Sequence, residues 1–180
     1  MTDAGASAPV IRIADKGMRA PVEIRGERIG FGTSQRPESL AWATIEIYRL
    51  ADDGYFTHRA GYSRVYHTAD TACRTRNGDQ KGDPATVDDL PDDAEPCPRC
   101  KPDPPVDLDD GQAVRYEFPR HTFDACDTPE MVVERLTVIR HRDRTKSVRY
   151  SQPVKDALRD AAFRDAAFAR MGSNGSVHIN

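Results

Sequence analysis

Cys97-Pro98-Arg99-Cys100 sets two thiols two residues apart in the chain. From a tight turn both sulfurs can meet one ion. Zinc takes four ligands in a tetrahedron, most often Cys and His, and a structural site is closed by protein ligands alone. One pair supplies two ligands, so two more must come from elsewhere. His67 and Cys73 upstream can complete the site, and so can His121 and Cys126 downstream. A set of Cys73, Cys97, Cys100 and Cys126 is a third solution. The upstream pair is preferred, because His67 ends an expected strand and the ion would then organise the chain between the ligand pairs.

That intervening chain needs an organiser. Between 68 and 111, Pro stands at 84, 91, 96, 98, 102, 104 and 105 among many Asp. Dense Pro opposes helix and central strands, and loops beyond about 15 residues are uncommon in a compact domain unless something holds them. A metal clip can take the place of a local apolar core. The expected cofactor is therefore a structural Zn2+.

Other chemistries fit less well. A redox dithiol usually sits at a helix N-terminus or beside cations, whereas this pair lies among Pro and Asp. A catalytic zinc would keep an open position and want a carboxylate base. Asp70, between His67 and Cys73, is the candidate for that role and leaves a metal-dependent hydrolase or nuclease as one alternative. Cys73 with His67 as nucleophile and base lacks any local nucleophile turn. The chain has no phosphate loop, dinucleotide fingerprint or zincin helix motif.

The order Tyr66-His67, Cys73, then Pro96-Cys97-Pro98-x-Cys100 after an acidic stretch resembles that of small zinc-binding proteins of actinobacteria and their phages. The resemblance spans residues 42–101. It implies the upstream ligand set and no particular activity. An excess of 21 Arg over 5 Lys fits a GC-rich coding sequence of that kind.

Composition bounds the rest. Hydrophobic residues make up 38% and charged residues 31% of the 180, so the core should be modest. The net charge of −3 argues against a general affinity for nucleic acid. Locally, residues 83–110 carry ten acids against two bases, and residues 140–170 carry nine bases against four acids. Arg140, Arg142, Arg144, Lys146 and Arg149 form a basic run that could track phosphates, so a nucleic-acid-binding regulator is a further alternative. The chain lacks a run of about 20 apolar residues, and Met1–Pro9 lacks the features of a signal peptide. A cytoplasmic protein is expected, where thiols stay reduced.

The elements that must position these groups follow from patterning. Trp42 to Leu50 alternates, with Ile45 and Ile47 on one face, and Ala51-Asp52-Asp53-Gly54 reads as a turn. A hairpin is predicted over 42–59, with a short strand over 64–67. Val22 to Gly26 and Ile29 to Phe31 read as separate short strands broken by glycines, and Val114 to Phe118 as another strand. Thr128-Pro129-Glu130 starts a helix reaching about 135. Residues 136–150 read as a second hairpin, and one helix should run from Gln152 to about Arg170 with Phe163 off its apolar stripe.

The expected fold is α+β: a small, mostly antiparallel sheet, a zinc-clipped loop, and a C-terminal hairpin and helix. The expected divisions are a leader over 1–8, a β-rich part over 9–66, the metal loop over 67–111, an α+β part over 112–171 and a tail over 172–180. The functional expectation is a non-enzymatic accessory or regulatory protein that binds another protein.

Overall fold

The computed structural model describes residues 8–14, 20–68, 73, 81–99, 111, 113–142 and 145–173, with backbone alone for 138–142, 145–149 and 172–173. The expected leader and tail, and with them Asp70, Cys100 and Arg144, lie largely or wholly outside these residues. Strands are β1 (Val10–Ile13), β2 (Val22–Thr33), β3 (Ala41–Leu50), β4 (Tyr55–Ser63), β5 (Val65–Thr68), β6 (Asp83–Thr86), β7 (Glu95–Pro96), β8 (Ala113–Tyr116), β9 (Arg120–Cys126), β10 (Val138–Arg142) and β11 (Thr145–Arg149). Helices are α1 (Pro129–Leu136), α2 (Gln152–Arg164) and α3 (Ala166–Ser173). The fold is sheet-rich α+β. Among the described residues no helix is long and apolar enough to cross a membrane.

Two compact units interleave along the chain rather than following one another. One comprises Met1–Gln35, Ala43–Ala60 and His121–Asn180, and the other Arg36–Trp42 and Gly61–Arg120.

The first unit holds the sheet β1-β2-β3-β4-β9 and the three helices. Alternation in β3 turns Ile45 and Ile47 toward the helices, where they join Ile29, Val132, Leu136, Val154, Leu158 and Phe168 in one apolar cluster. Glu46 and Tyr48 take the opposite face.

The structure changes the reading of β2. It is one strand of twelve residues, not two short ones. A shift in register between Arg28 and Gly30 pairs Gly30 with Ile47 and Gly32 with Ile45, which puts both glycines under α2. A Cβ on Gly30 would stand 2.5 Å from the Ala157 carbonyl oxygen, and one on Gly32 would stand 1.9 Å from that of Pro153. These glycines do not break the strand. They let a helix backbone lie directly on it.

The expected single C-terminal helix is two helices. The break is at Asp165, which is 4% exposed. Its carboxylate accepts hydrogen bonds from the backbone N–H of Ala167 at 2.8 Å and Phe168 at 3.4 Å, capping α3. Arg49 and the Tyr55 hydroxyl donate to the same carboxylate. The turn brings Phe168 edge-on to Tyr55, with ring centroids 5.2 Å apart, and leaves Phe163 91% exposed. Asp165→Ala is expected to cost about 2 kcal/mol in urea unfolding, the upper end for a lost cap. Asp165→Asn keeps an acceptor and should cost less.

The second unit holds the sheet β6-β8-β5-β7. β8 runs antiparallel to both β5 and β6, and β7 runs parallel to β5. Pro84 lies in β6 and Pro96 in β7, the two edge strands, where a missing N–H costs no central ladder bond. The segment expected to be a long loop thus contributes two strands and a short 3-10 turn, Val87–Asp89. Within the hairpin expected over 136–150, Val138–Arg142 pairs antiparallel with Thr145–Arg149.

Candidate metal centre

His67 lies on β5, the inner strand flanked by β8 and β7. Its pairing with Arg115 fixes its register, and its side chain is 1% exposed. Cys97 follows β7 directly. The pairing of Val65 with Glu95 and Tyr66 with Pro96 is continued by the Cys97 N–H, which donates to the Tyr66 carbonyl at 2.9 Å. Two pinned strands therefore bring Cys97 beside His67. Cys73 comes from the chain after β5, and its carbonyl accepts from the Lys81 N–H at 2.9 Å.

Arg64 braces the approach to Cys97. Its carbonyl accepts from the Glu95 N–H at 2.7 Å, and its guanidinium pairs with Asp93 at 3.0 Å. The same guanidinium lies over Trp42, which stacks on Tyr62. Nothing in the sequence singles out Arg64, because an isolated Arg after a strand carries no local signal.

The ligand atoms of His67, Cys73 and Cys97 all lie within 4.8 Å of one another, a group that could hold a metal ion. The Cys73 and Cys97 sulfurs are 3.9 Å apart. Two thiolates about 2.3 Å from one tetrahedral ion stand roughly 3.8 Å apart, so the spacing fits shared ligation. Burial pushes the His67 imidazole below its ordinary proton affinity, and the nearby Lys81 charge adds to this against Glu117. The neutral ring it favours is the ligating form.

The downstream candidates have other surroundings. Cys126 is 3% exposed within the apolar cluster of the first unit. Burial, then the charge of Asp124, pushes its thiol up, which disfavours the thiolate a metal needs. His121 also belongs to the first unit, where its Nδ1 lies 3.0 Å from Nε2 of His58. Among the described residues, only the upstream completion has its members gathered around Cys97. No family model, curated protein or solved structure matches this chain.

A second polar cluster was not legible in the sequence. Glu46 on β3 accepts hydrogen bonds from Arg28 at 2.8 Å, the Tyr48 hydroxyl at 2.8 Å and His58 Nδ1 at 2.9 Å. Burial alone would raise the Glu46 carboxyl, but these three donors outweigh it and bring it down to about 2. Burial and the Glu46 charge raise the Tyr48 hydroxyl. The one signal in the sequence is that Glu46 and Tyr48 share the polar face of an alternating strand.

Proposed function

We propose that this is a non-enzymatic accessory or regulatory protein whose second unit is held by one structural zinc ion, and that it acts by binding another protein. The gathering of His67, Cys73 and Cys97 carries the reading. Two sulfurs and an imidazole form the donor set that suits zinc, and Cys100 is the natural fourth ligand by its spacing from Cys97. His67 and Cys97 are buried to 1% and 5% exposure, which favours a closed structural site over one keeping a water position. Phe163, 91% exposed on α2, is the best-placed apolar contact for a protein partner.

Protein purified without chelator should contain one equivalent of zinc by elemental analysis. Cys97→Ser and His67→Ala should lose it, and His121→Ala should keep it. Zinc retained by His67→Ala but lost with His121→Ala would reverse the ligand choice. Partner capture should weaken with Phe163→Ser, whose stability should change by less than about 0.5 kcal/mol. Zinc-dependent turnover of a phosphodiester or ester would overturn the non-enzymatic reading.

One observation favours a second reading. The β10–β11 register pairs Val138 with Arg149, Arg140 with Ser147 and Arg142 with Thr145, so positions 140, 142 and 149 fall on one face of the ribbon. A ribbon with three arginines along one face suits phosphate contact. Binding to mixed DNA or RNA that falls steeply with salt, and is lost on Arg140→Ala/Arg142→Ala, would establish it.

A further inference from the structure

β9 closes one side of the five-stranded sheet, with no strand beyond it among the described residues. Such an edge offers free N–H and C=O groups to any extended chain, and stable folds usually blunt it with Pro, Lys or a bulge. The edges of the other sheet, β6 and β7, carry Pro84 and Pro96. β1 has only four residues, and its Arg12 already pairs with Glu23 at 3.7 Å. β9 has seven residues, with neither Pro nor Lys. Alternation puts Arg120, Thr122 and Asp124 on one face of it, the face of buried Cys126. Arg120 and Thr122 are exposed. Neither Arg120 nor Asp124 has an ion pair among the described residues. On the other face a row of rings, Tyr48, Phe56 and Phe123, crosses β3, β4 and β9 with centroids 6.5 and 5.8 Å apart and stops at the edge.

The order Arg120-His121-Thr122-Phe123-Asp124 is complementary to itself when reversed. We propose that β9 is the interface of a symmetric dimer, in which it pairs antiparallel with β9 of a second copy about a twofold axis at Thr122. In that register Thr122 stands opposite Thr122 of the second copy, Arg120 opposite its Asp124, and Asp124 opposite its Arg120. The twofold axis repeats each contact. The dimer therefore gains two opposite-charge pairs and a Thr–Thr pair, which are cross-strand pairs that stabilise a sheet. On the other face Phe123 of each copy comes opposite His121 of the other, which carries the row of rings across the axis. An axis at His121 or at Phe123 sets neither charge directly opposite its complement. The pairing uses neither the metal centre nor Phe163.

The test is sedimentation of the full-length chain, purified without chelator, over a concentration series up to about 1 mM. The wild type should form dimers whose fraction rises with concentration. Arg120→Asp sets a carboxylate against Asp124 of the second copy, and Asp124→Arg sets a guanidinium against its Arg120. Each should weaken self-association by about tenfold or more, because two opposite-charge pairs become two like-charge pairs. Arg120→Asp/Asp124→Arg restores both pairs with the signs exchanged and should recover most of the wild-type affinity. Oxidised Thr122→Cys should give a dimer linked at position 122. Ala125→Cys, which in this register faces Pro119 of the second copy, should not link to itself. The cysteine variants keep the register testable where a charge change prevents folding. A chain that stays monomeric throughout the series would overturn the proposal, whether or not another protein adds to β9. So would a dimer that both single reversals leave intact, a double variant no tighter than the single ones, or linkage of Thr122→Cys no faster than that of Ala125→Cys.

Discussion

Removal of the proposed zinc ion is expected to abolish the folded state of the second unit. Its described buried apolar residues are few: Val65, Cys97, Val114 and Tyr116. So small an apolar core leaves the unit dependent on a clip, and a structural zinc ion contributes about 10–16 kcal/mol to the folding of small zinc modules. With a strong chelator, or in Cys97→Ser, amide protection over Val65–Thr68 and Ala113–Tyr116 should disappear. Restoring zinc to the chelated wild type should recover it. Unchanged protection after complete metal removal would mean that the Arg64 brace and the β-ladders suffice by themselves.

The second large effect is expected at Gly32. In Gly32→Val the new Cβ would meet the Pro153 carbonyl oxygen at 1.9 Å, its carbon at 2.8 Å and the Ala157 nitrogen at 2.9 Å. All three are backbone atoms, so no side-chain rotation relieves the clash. The helix must lift from the sheet, which separates Ile45 and Ile47 from Val154, Ala157 and Leu158. Overpacking of a well-filled core costs about 1–3 kcal/mol and occasionally more. With rigid backbone on the opposing side, about 3 kcal/mol or more is expected in urea unfolding. Gly61→Ala is the control. Its Cβ would meet nothing within 4 Å, and the change should stay within about 0.5 kcal/mol. Equal effects at the two glycines would show that loss of chain flexibility, not helix contact, dominates.

The depressed Glu46 carboxyl adds stability to the first unit that is complete above its ordinary value of 4.5 and is lost as pH falls toward about 2.

What the sequence alone determined was whatever rests on neighbours close in the chain. The spacing of Cys97 and Cys100 makes them candidate ligands. Period-two alternation gives the β3–β4 hairpin, and Thr128-Pro129 gives the start of α1, where the Thr128 hydroxyl accepts from Met131. The tertiary structure alone decided the features that depend on distant partners. Gly30 and Gly32 look like strand breaks until α2 lies over them. Asp165 looks like another helical residue until Arg49 and Tyr55 converge on it and α3 needs a cap. β9 has too few apolar residues to declare itself and exists because β4 offers it a ladder. The Glu46–His58–His121 chain draws on three strands spread over 76 positions of sequence, and hydrogen bonds between side chains so far apart leave no periodic trace. His67, Cys73 and Cys97 needed both kinds of information. Residue type and spacing made them candidates, but the pairing of β7 beside β5 is what brings Cys97 to His67.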